Sequence, residues 1–354
     1  MKIRKTVAML TAGILLSLGT AQAMAGDTIK VGTFLAVTGG ASFLGDPELK
    51  TLQMYVDEVN AAGGVDGKMV ELIHYDTGGK AKEAVKFAKR LIQKDKVDVI
   101  VGGSTSGSSL AVMPLVASSK TPFISLAGSV KIIYPVQKWT FKTPHTDAMA
   151  AAKIFSDMQR RGITKVALIS GSGGFDKSGR AQSLELAPQY AITIVADESY
   201  GGKDTDMTAQ LTKIRDTDAE AILNFGFGSG PAIVTKNVRQ LGITLPLYQS
   251  HGVASKKYIE LAGEAAEGVR LPAAALLVAD QLPDSDPQKA VLLAYENKFE
   301  ASHGAVSTFG GHAYDGLYIA LEAMDRANST DKAKVRDEIE MTTGFIGTGG
   351  IFNM

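Results

Sequence analysis

Short apolar runs alternate along the chain with segments whose apolar positions recur at helical spacing. Residues 29–36 are β-rich, and residues 48–60 place Leu49, Leu52, Tyr55, Val56 and Val59 on one helical face. Residues 69–75 read as a strand and 83–93 as a helix with Val85, Ala88, Leu91 and Ile92 in phase. A short buried strand at 97–101, a helix at 110–117 and a strand at 122–126 follow. This βαβ repetition predicts a parallel sheet with helices on both faces. The pattern then restarts. Strands are predicted at 165–170, 192–196, 221–225 and 245–248, separated by helices at 175–186, 206–215 and 231–241. Two successive α/β units of similar size predict two doubly wound lobes. Long helices at 288–301 and 311–327 come after the second unit with little strand material of their own. A return to the first lobe would give them a surface to cover, and the chain would then cross between lobes more than once.

The first residues carry a different pattern. Lys2, Arg4 and Lys5 precede an uncharged run at 6–19, and Ala21-Gln22-Ala23 supplies small residues for cleavage. This order predicts a secretory signal over 1–23, with Ala23-Met24-Ala25 as a second cut site. A membrane anchor is the competing reading, but the run is short for a span and no second one follows. The remaining chain is long enough for two domains. The sequence holds 37 basic and 37 acidic side chains, and loss of the leader removes three basic ones. The resulting slight negative charge argues against nucleic acid and anionic membrane as partners. With no cysteine there is no disulfide, thiolate nucleophile or thiolate metal site, so the cores alone must hold an exported protein.

The usual chemical motifs are incomplete. Gly63-Gly64-Val65-Asp66-Gly67-Lys68 resembles a phosphate loop, but Ala62 stands where its first glycine belongs and Met69 where a hydroxyl is needed. A helix stop and turn accounts for it. Gly171-Ser172-Gly173-Gly174 lies between a strand and a helix, yet position 176 is Asp instead of the third glycine of a dinucleotide loop. His74, His145, His251, His303 and His312 form no metal-binding pair, and Asp284-Ser285-Asp286-Pro287 lacks the rest of a calcium loop. No Gly-x-Ser-x-Gly elbow is present. No cofactor or metal is therefore expected, and an enzyme stays only as an alternative without direct support.

Several segments, in order, carry a resemblance. Ile29-Lys30-Val31-Gly32 leads to Thr38-Gly39-Gly40-Ala41, and 59–67 reads Val-Asn-Ala-Ala-Gly-Gly-Val-Asp-Gly. Tyr75-Asp76, Val101-Gly102-Gly103-Ser104-Thr105-Ser106, Pro122-Phe123-Ile124-Ser125, Ala266-Glu267-Gly268 and His312-Ala313-Tyr314-Asp315 follow. Together they resemble the branched-chain amino acid (Leu/Ile/Val) binding family of periplasmic receptors over the whole mature chain. That resemblance implies a type I periplasmic binding fold: two α/β lobes, three hinge crossovers near 140–143, 269–272 and 344–347, and a ligand enclosed on closure. Lobe 1 is then expected from 24–141 with 273–345, and lobe 2 from 142–272 with 346–354. The family pattern continues for another strand or so past Met354, which leaves the last elements of lobe 2 open. The family also implies a periplasmic location, an ABC importer permease as partner, and no catalysis. Lys50, Glu58 and Arg180 are candidate docking charges, with ordinary solvated charge as the alternative. A ligand sensor of the same fold is a further alternative.

The binding chemistry follows from both sources. The Ser/Thr/Gly-rich stretch 102–109 sits at a strand end and opens a helix, where free N–H groups and a partial positive charge suit a carboxylate. By resemblance, the Ser106 hydroxyl, the Ala127 N–H and Ser129 would hold that carboxylate. Helix capping is the alternative for Ser106. The resemblance places Phe175 and Phe227 as ligand-stacking rings, Phe309 as a pocket aromatic and Leu44 against the ligand side chain. Each fits a core as well. His251 stands where the amino-acid binders carry an acid that pairs with the α-ammonium. Imidazole is a poor substitute, being either a weak neutral partner or a repelling cation. The expected ligand is therefore a small carboxylate without an α-amine, aromatic or hydrophobic. The alternative is a branched-chain or other amino acid, with Asp204 or Glu264 supplying the missing charge.

Overall fold

The computed structural model describes residues 28–354, so the predicted leader at 1–23 lies outside the described residues. The first sheet is built from β1 (Ile29–Leu35), β2 (Val70–Asp76), β3 (Val99–Gly102), β4 (Phe123–Ser125) and β5 (Thr140–Lys142). Helices α1 (Ser42–Ala61), α2 (Ala81–Arg90) and α3 (Ser106–Ser119) connect the first four strands. The strands run parallel in the order β2-β1-β3-β4-β5. The chain then passes through α4 (Asp147–Arg160) into a second parallel sheet. There β6 (Lys165–Ser170), α5 (Gly174–Leu186), β7 (Thr193–Ser199), α6 (Thr208–Arg215), β8 (Ala221–Phe225), α7 (Gly230–Gln240) and β9 (Leu247–Gln249) give the order β7-β6-β8-β9. A short α8 (Lys256–Ala262) closes this unit.

Parallel strands covered on both faces must be apolar on both, and the cores show why the runs are continuous. In β6, Val166 and Leu168 enter one core with Phe155 and Phe225, while Ala167 and Ile169 enter another with Leu211 and Val234. In the first sheet, Val31 and Val101 face one core, and Phe34 and Ile100 the other.

The late helices return to the first lobe. After Leu276 the chain forms α9 (Lys289–His303), α10 (Thr308–Ala327) and α11 (Lys332–Glu340). Leu292, Tyr295, Leu317 and Val335 from these helices share one core with Val31 and Leu52. Helix α10 runs close over the sheet. A Cβ at Gly316 would lie 2.9 Å from Val101 Cγ1, so glycine is what permits the approach.

One domain expectation is corrected. Residues 346–354 do not join lobe 2. The hairpin of β10 (Phe345–Ile346) and β11 (Ile351–Phe352) packs Phe345, Phe352 and Met354 against the first core. Its turn is pinned there because the buried Asp315 carboxylate of α10 accepts the N–H groups of Thr348 at 2.6 Å and Gly349 at 2.7 Å. Among the described residues no helix is long and apolar enough to cross a membrane.

Candidate ligand-binding site

Both sheets reverse strand order beside their first strand, and ligands of open α/β sheets bind at the carboxyl ends around such a switch point. The two switch points face one another across a single cavity of about 330 Å³. The segments after β1 and β3 bring Leu44 and Ser104-Thr105-Ser106 to it. Those after β6, β8 and β9 bring Phe175, Phe227, His251 and Gly252. Pro144 and His145 enter after β5, and Thr308, Phe309 and His312 from the first turns of α10.

The first-lobe wall is a helix start. Thr105, not Ser106, is the cap of α3, its hydroxyl accepting Ser108 N–H at 3.3 Å. The N–H groups of Ser106 and Gly107, in the same first turn, have no acceptor within the helix. Ser106 is buried, and its oxygen accepts Ser129 N–H at 3.2 Å, which leaves its hydroxyl hydrogen to donate. Ser104 is buried as well and lines the same wall.

Six of the eight predicted residues line the cavity: Leu44, Ser106, Phe175, Phe227, His251 and Phe309. Ala127 and Ser129 do not. The Ala127 N–H is turned to the Ser125 hydroxyl at 3.2 Å. The Ser129 hydroxyl meets Ser178 of α5 at 2.7 Å and accepts Lys131 N–H. Ser129 thus ties the two lobes together instead of facing the cavity, and Gly128 between them forms the wall. A Cβ on Gly128 would stand 2.9 Å from the Phe175 ring and 3.0 Å from His251 Nε2, so the closed cleft has room only for glycine.

The second-lobe wall is made of rings. Phe175 meets Phe227 edge-on at 6.0 Å and His251 edge-on at 5.2 Å between centroids. Phe43 links the lobes, 5.6 Å from Phe309 and 6.4 Å from Phe227.

The electrostatics of the cavity are one-sided. Among the described residues no Asp or Glu lines it, and the ionisable groups that do are His145, Lys153, His251 and His312. Burial pushes the His251 imidazole down to about 3, aided by Lys142 and His145. Burial holds His312 well below the usual histidine range, and His145 is lowered by burial and Lys142. All three rings are therefore neutral at pH 7. Lys142, itself buried, is pushed down to about 7 by burial, which the nearby Asp147 opposes. Nδ1 of His251 and Nδ1 of His312 are buried without a hydrogen-bond partner among the described residues. Neither Asp204 nor Glu264 supplies an acid here: Asp204 accepts Gly201 N–H at 2.7 Å at an exposed turn, and neither residue lines the cavity.

Sequence reasoning missed Pro144, His145, Lys153, Thr308 and His312 at this wall, and reached Ser104 only as part of the stretch 102–109. His312 had been only a landmark of resemblance, and His145 follows a three-residue strand too short to signal itself.

The match to known proteins fits this geometry. The family model described as periplasmic binding protein matches residues 28–354. The chain belongs to that family. Within it, the leucine-, isoleucine-, valine-, threonine- and alanine-binding protein of Pseudomonas aeruginosa is 23% identical, over 93% of this chain and 86% of the relative. The branched-chain amino acid transporter substrate binding protein LivJ of Streptococcus pneumoniae, solved with isoleucine, superposes with TM-score 0.81 at 26% identity, covering 92% of each chain. A solute binding protein of an ABC transporter from Rhodopseudomonas palustris BisB5, solved with 3,4-dihydroxybenzoic acid, gives TM-score 0.78 at 22% identity, covering 91% of this chain and 87% of that one. The protein is a type I periplasmic binding protein of the branched-chain amino acid family.

Proposed function

We propose that this periplasmic binding protein is the exported solute receptor of an ABC importer and that its ligand is a small aromatic or hydrophobic carboxylic acid without an α-amine. The observation that carries the reading is that, among the described residues, no acidic side chain lines the cavity wall, where neutral histidines and Lys153 stand instead. An α-ammonium enclosed there would lose its water and gain no anion, at a cost of several kcal/mol. A carboxylate meets the opposite situation. The first-turn N–H groups of α3 and the Ser106 hydroxyl donate to it, and the helix dipole has the favourable sign. A cavity of about 330 Å³ with Phe175, Phe227 and Phe309 suits a single substituted ring, and the unpartnered imidazole nitrogens suit a ring hydroxyl or carbonyl.

The action proposed is hinge closure without a covalent step. A ligand touching both walls stabilises the closed form, to which the Ser129–Ser178 bond already contributes. The closed shape would then dock on the permease. Lys50, Glu58 and Arg180 are each paired within the chain, with Asp46, Lys298 and Asp197, which weakens their claim as docking charges.

An amino acid as ligand is the second reading, favoured by what the P. aeruginosa and S. pneumoniae relatives are named for. The fold also accommodates an aromatic acid in the R. palustris protein. Mass spectrometry of the small molecule that co-purifies with the full-length protein tests the choice. An acid without nitrogen is expected. Recovery of leucine, isoleucine or valine at one per chain would contradict the proposal.

A further inference from the structure

Behind the first-lobe wall lies a carboxyl that the binding scheme does not use. Glu48 of α1 is fully buried, and its Oε2 meets the hydroxyl of Ser104, a residue of the cavity wall. Its Oε1 is buried with no partner. Ser104 Oγ also accepts Ala36 N–H at 3.0 Å. Among the described residues no cation pairs with Glu48. On its own helix, Lys50 is paired with Asp46. Of the titratable groups on the neighbouring helices, Asp315 of α10 is held by Thr348 and Gly349, and Tyr295 of α9 is bonded to Thr51. Asp76, at the end of β2, is held by Thr38 and Gly78. His145 and His312 line the cavity, and Lys142 lies near His145.

We propose that Glu48 is a positioning residue that couples ligand binding to one proton by setting the direction of the Ser104 hydroxyl. The inference rests on the reading above that a ligand carboxylate is held at the start of α3. With a proton on Oε2, Glu48 donates to Ser104 Oγ. That oxygen then has both lone pairs occupied, by Glu48 and by Ala36 N–H, and its hydrogen is turned to the cavity as a donor for the carboxylate. With Glu48 ionised, the hydroxyl donates back to it, and the wall offers only a lone pair with a negative charge behind it. Burial raises the Glu48 carboxyl to about 8, with the Ser104 bond opposing, so the neutral form prevails at neutral pH. A bound carboxylate favours that form further.

The test is calorimetric titration of the full chain and of Glu48→Gln with 4-hydroxybenzoate and with leucine, from pH 6.5 to 9, in buffers of different ionisation enthalpy. The glutamine amide donates to Ser104 as the neutral acid does, so the variant should bind as the parent protein does at pH 6.5. Above pH 8 the parent should weaken relative to the variant, by about tenfold at pH 9, and should take up protons that the variant does not. Loss of charge on Lys142 affects both proteins alike and cancels in the comparison. Parallel pH profiles with equal proton uptake would overturn the proposal, because a merely structural role moves neither. The leucine arm separates the two readings. If only leucine binds, the amine-free reading fails while the Glu48 linkage is still measured. If neither probe binds at pH 6.5, the carboxylate on which both rest is removed.

Discussion

On the first-lobe side the cavity meets hydroxyls and the start of α3; on the second-lobe side it meets Phe175, Phe227 and the neutral ring of His251. The first wall offers hydrogen-bond donors in fixed directions, so it reads the charge and geometry of a head group. The second offers surface, so it reads size and shape and adds affinity only when the lobes close. Amine recognition would need an anion in the wall, and His251 stands in the ring wall without charge. On the function proposed above, the contrast places the choice of ligand class on the ring wall and the binding of the carboxylate on the other.

The largest effect should come from charging the ring wall. His251→Asp should weaken binding of an aromatic acid at least about a hundredfold, since a buried carboxylate without a partner costs several kcal/mol. The same variant should gain affinity for phenylalanine, and titration of both ligands checks it. Phe227→Ala removes half-buried ring surface worth about 2 kcal/mol and should weaken an aromatic acid about thirtyfold, with a smaller loss for a short aliphatic acid. Ser106→Ala deletes one donor to a charged group, worth about 1.5 kcal/mol, and should weaken all carboxylates about tenfold. If Ser106→Ala discriminated between ligands while Phe227→Ala did not, the roles of the two walls would be reversed.

The smallest effect is on stability. His145, His251 and His312 are held below the ordinary histidine value in the folded protein, by burial first and then by neighbouring positive groups. The unfolded chain therefore binds more protons than the folded one as pH falls below about 6.5. Stability present above that pH is lost progressively on acidification towards 3, the value His251 reaches. The raised carboxyls of Glu48 and Asp315 act in the opposite sense over this range, so the histidine contribution is read as a difference: from pH 7 to pH 5, the Tm of His251→Asn should rise relative to that of the parent protein.

The fold was legible where burial is symmetric. Residues 165–170 and 221–225 are strands as predicted, because strands covered on both faces are apolar throughout. Helix α4 went unread even though Thr146 caps it and Ala150, Ile154, Phe155 and Met158 have helical spacing, a signal present in the chain. Its many alanines and the short strand before it diluted that signal. Leu44, Phe175 and Phe227 were reachable through the family resemblance, and the two rings also because each lies among glycines just after a strand. The meeting of His145 with His312, at 6.3 Å between rings, joins residues far apart in the chain and leaves no local trace. The same holds for Glu48 and Ser104. The turn of Ser129 towards Ser178 depends on how the lobes close, which no local pattern encodes.

A pair of ligands that differ only in the amine puts the question to the ring wall most directly. Calorimetric titration at pH 7 with 3-phenylpropionate and with phenylalanine holds the ring, the spacer and the carboxylate constant. The account predicts that 3-phenylpropionate binds and that phenylalanine binds roughly a hundredfold more weakly or not at all. Equal affinity, or a preference for phenylalanine, would contradict it.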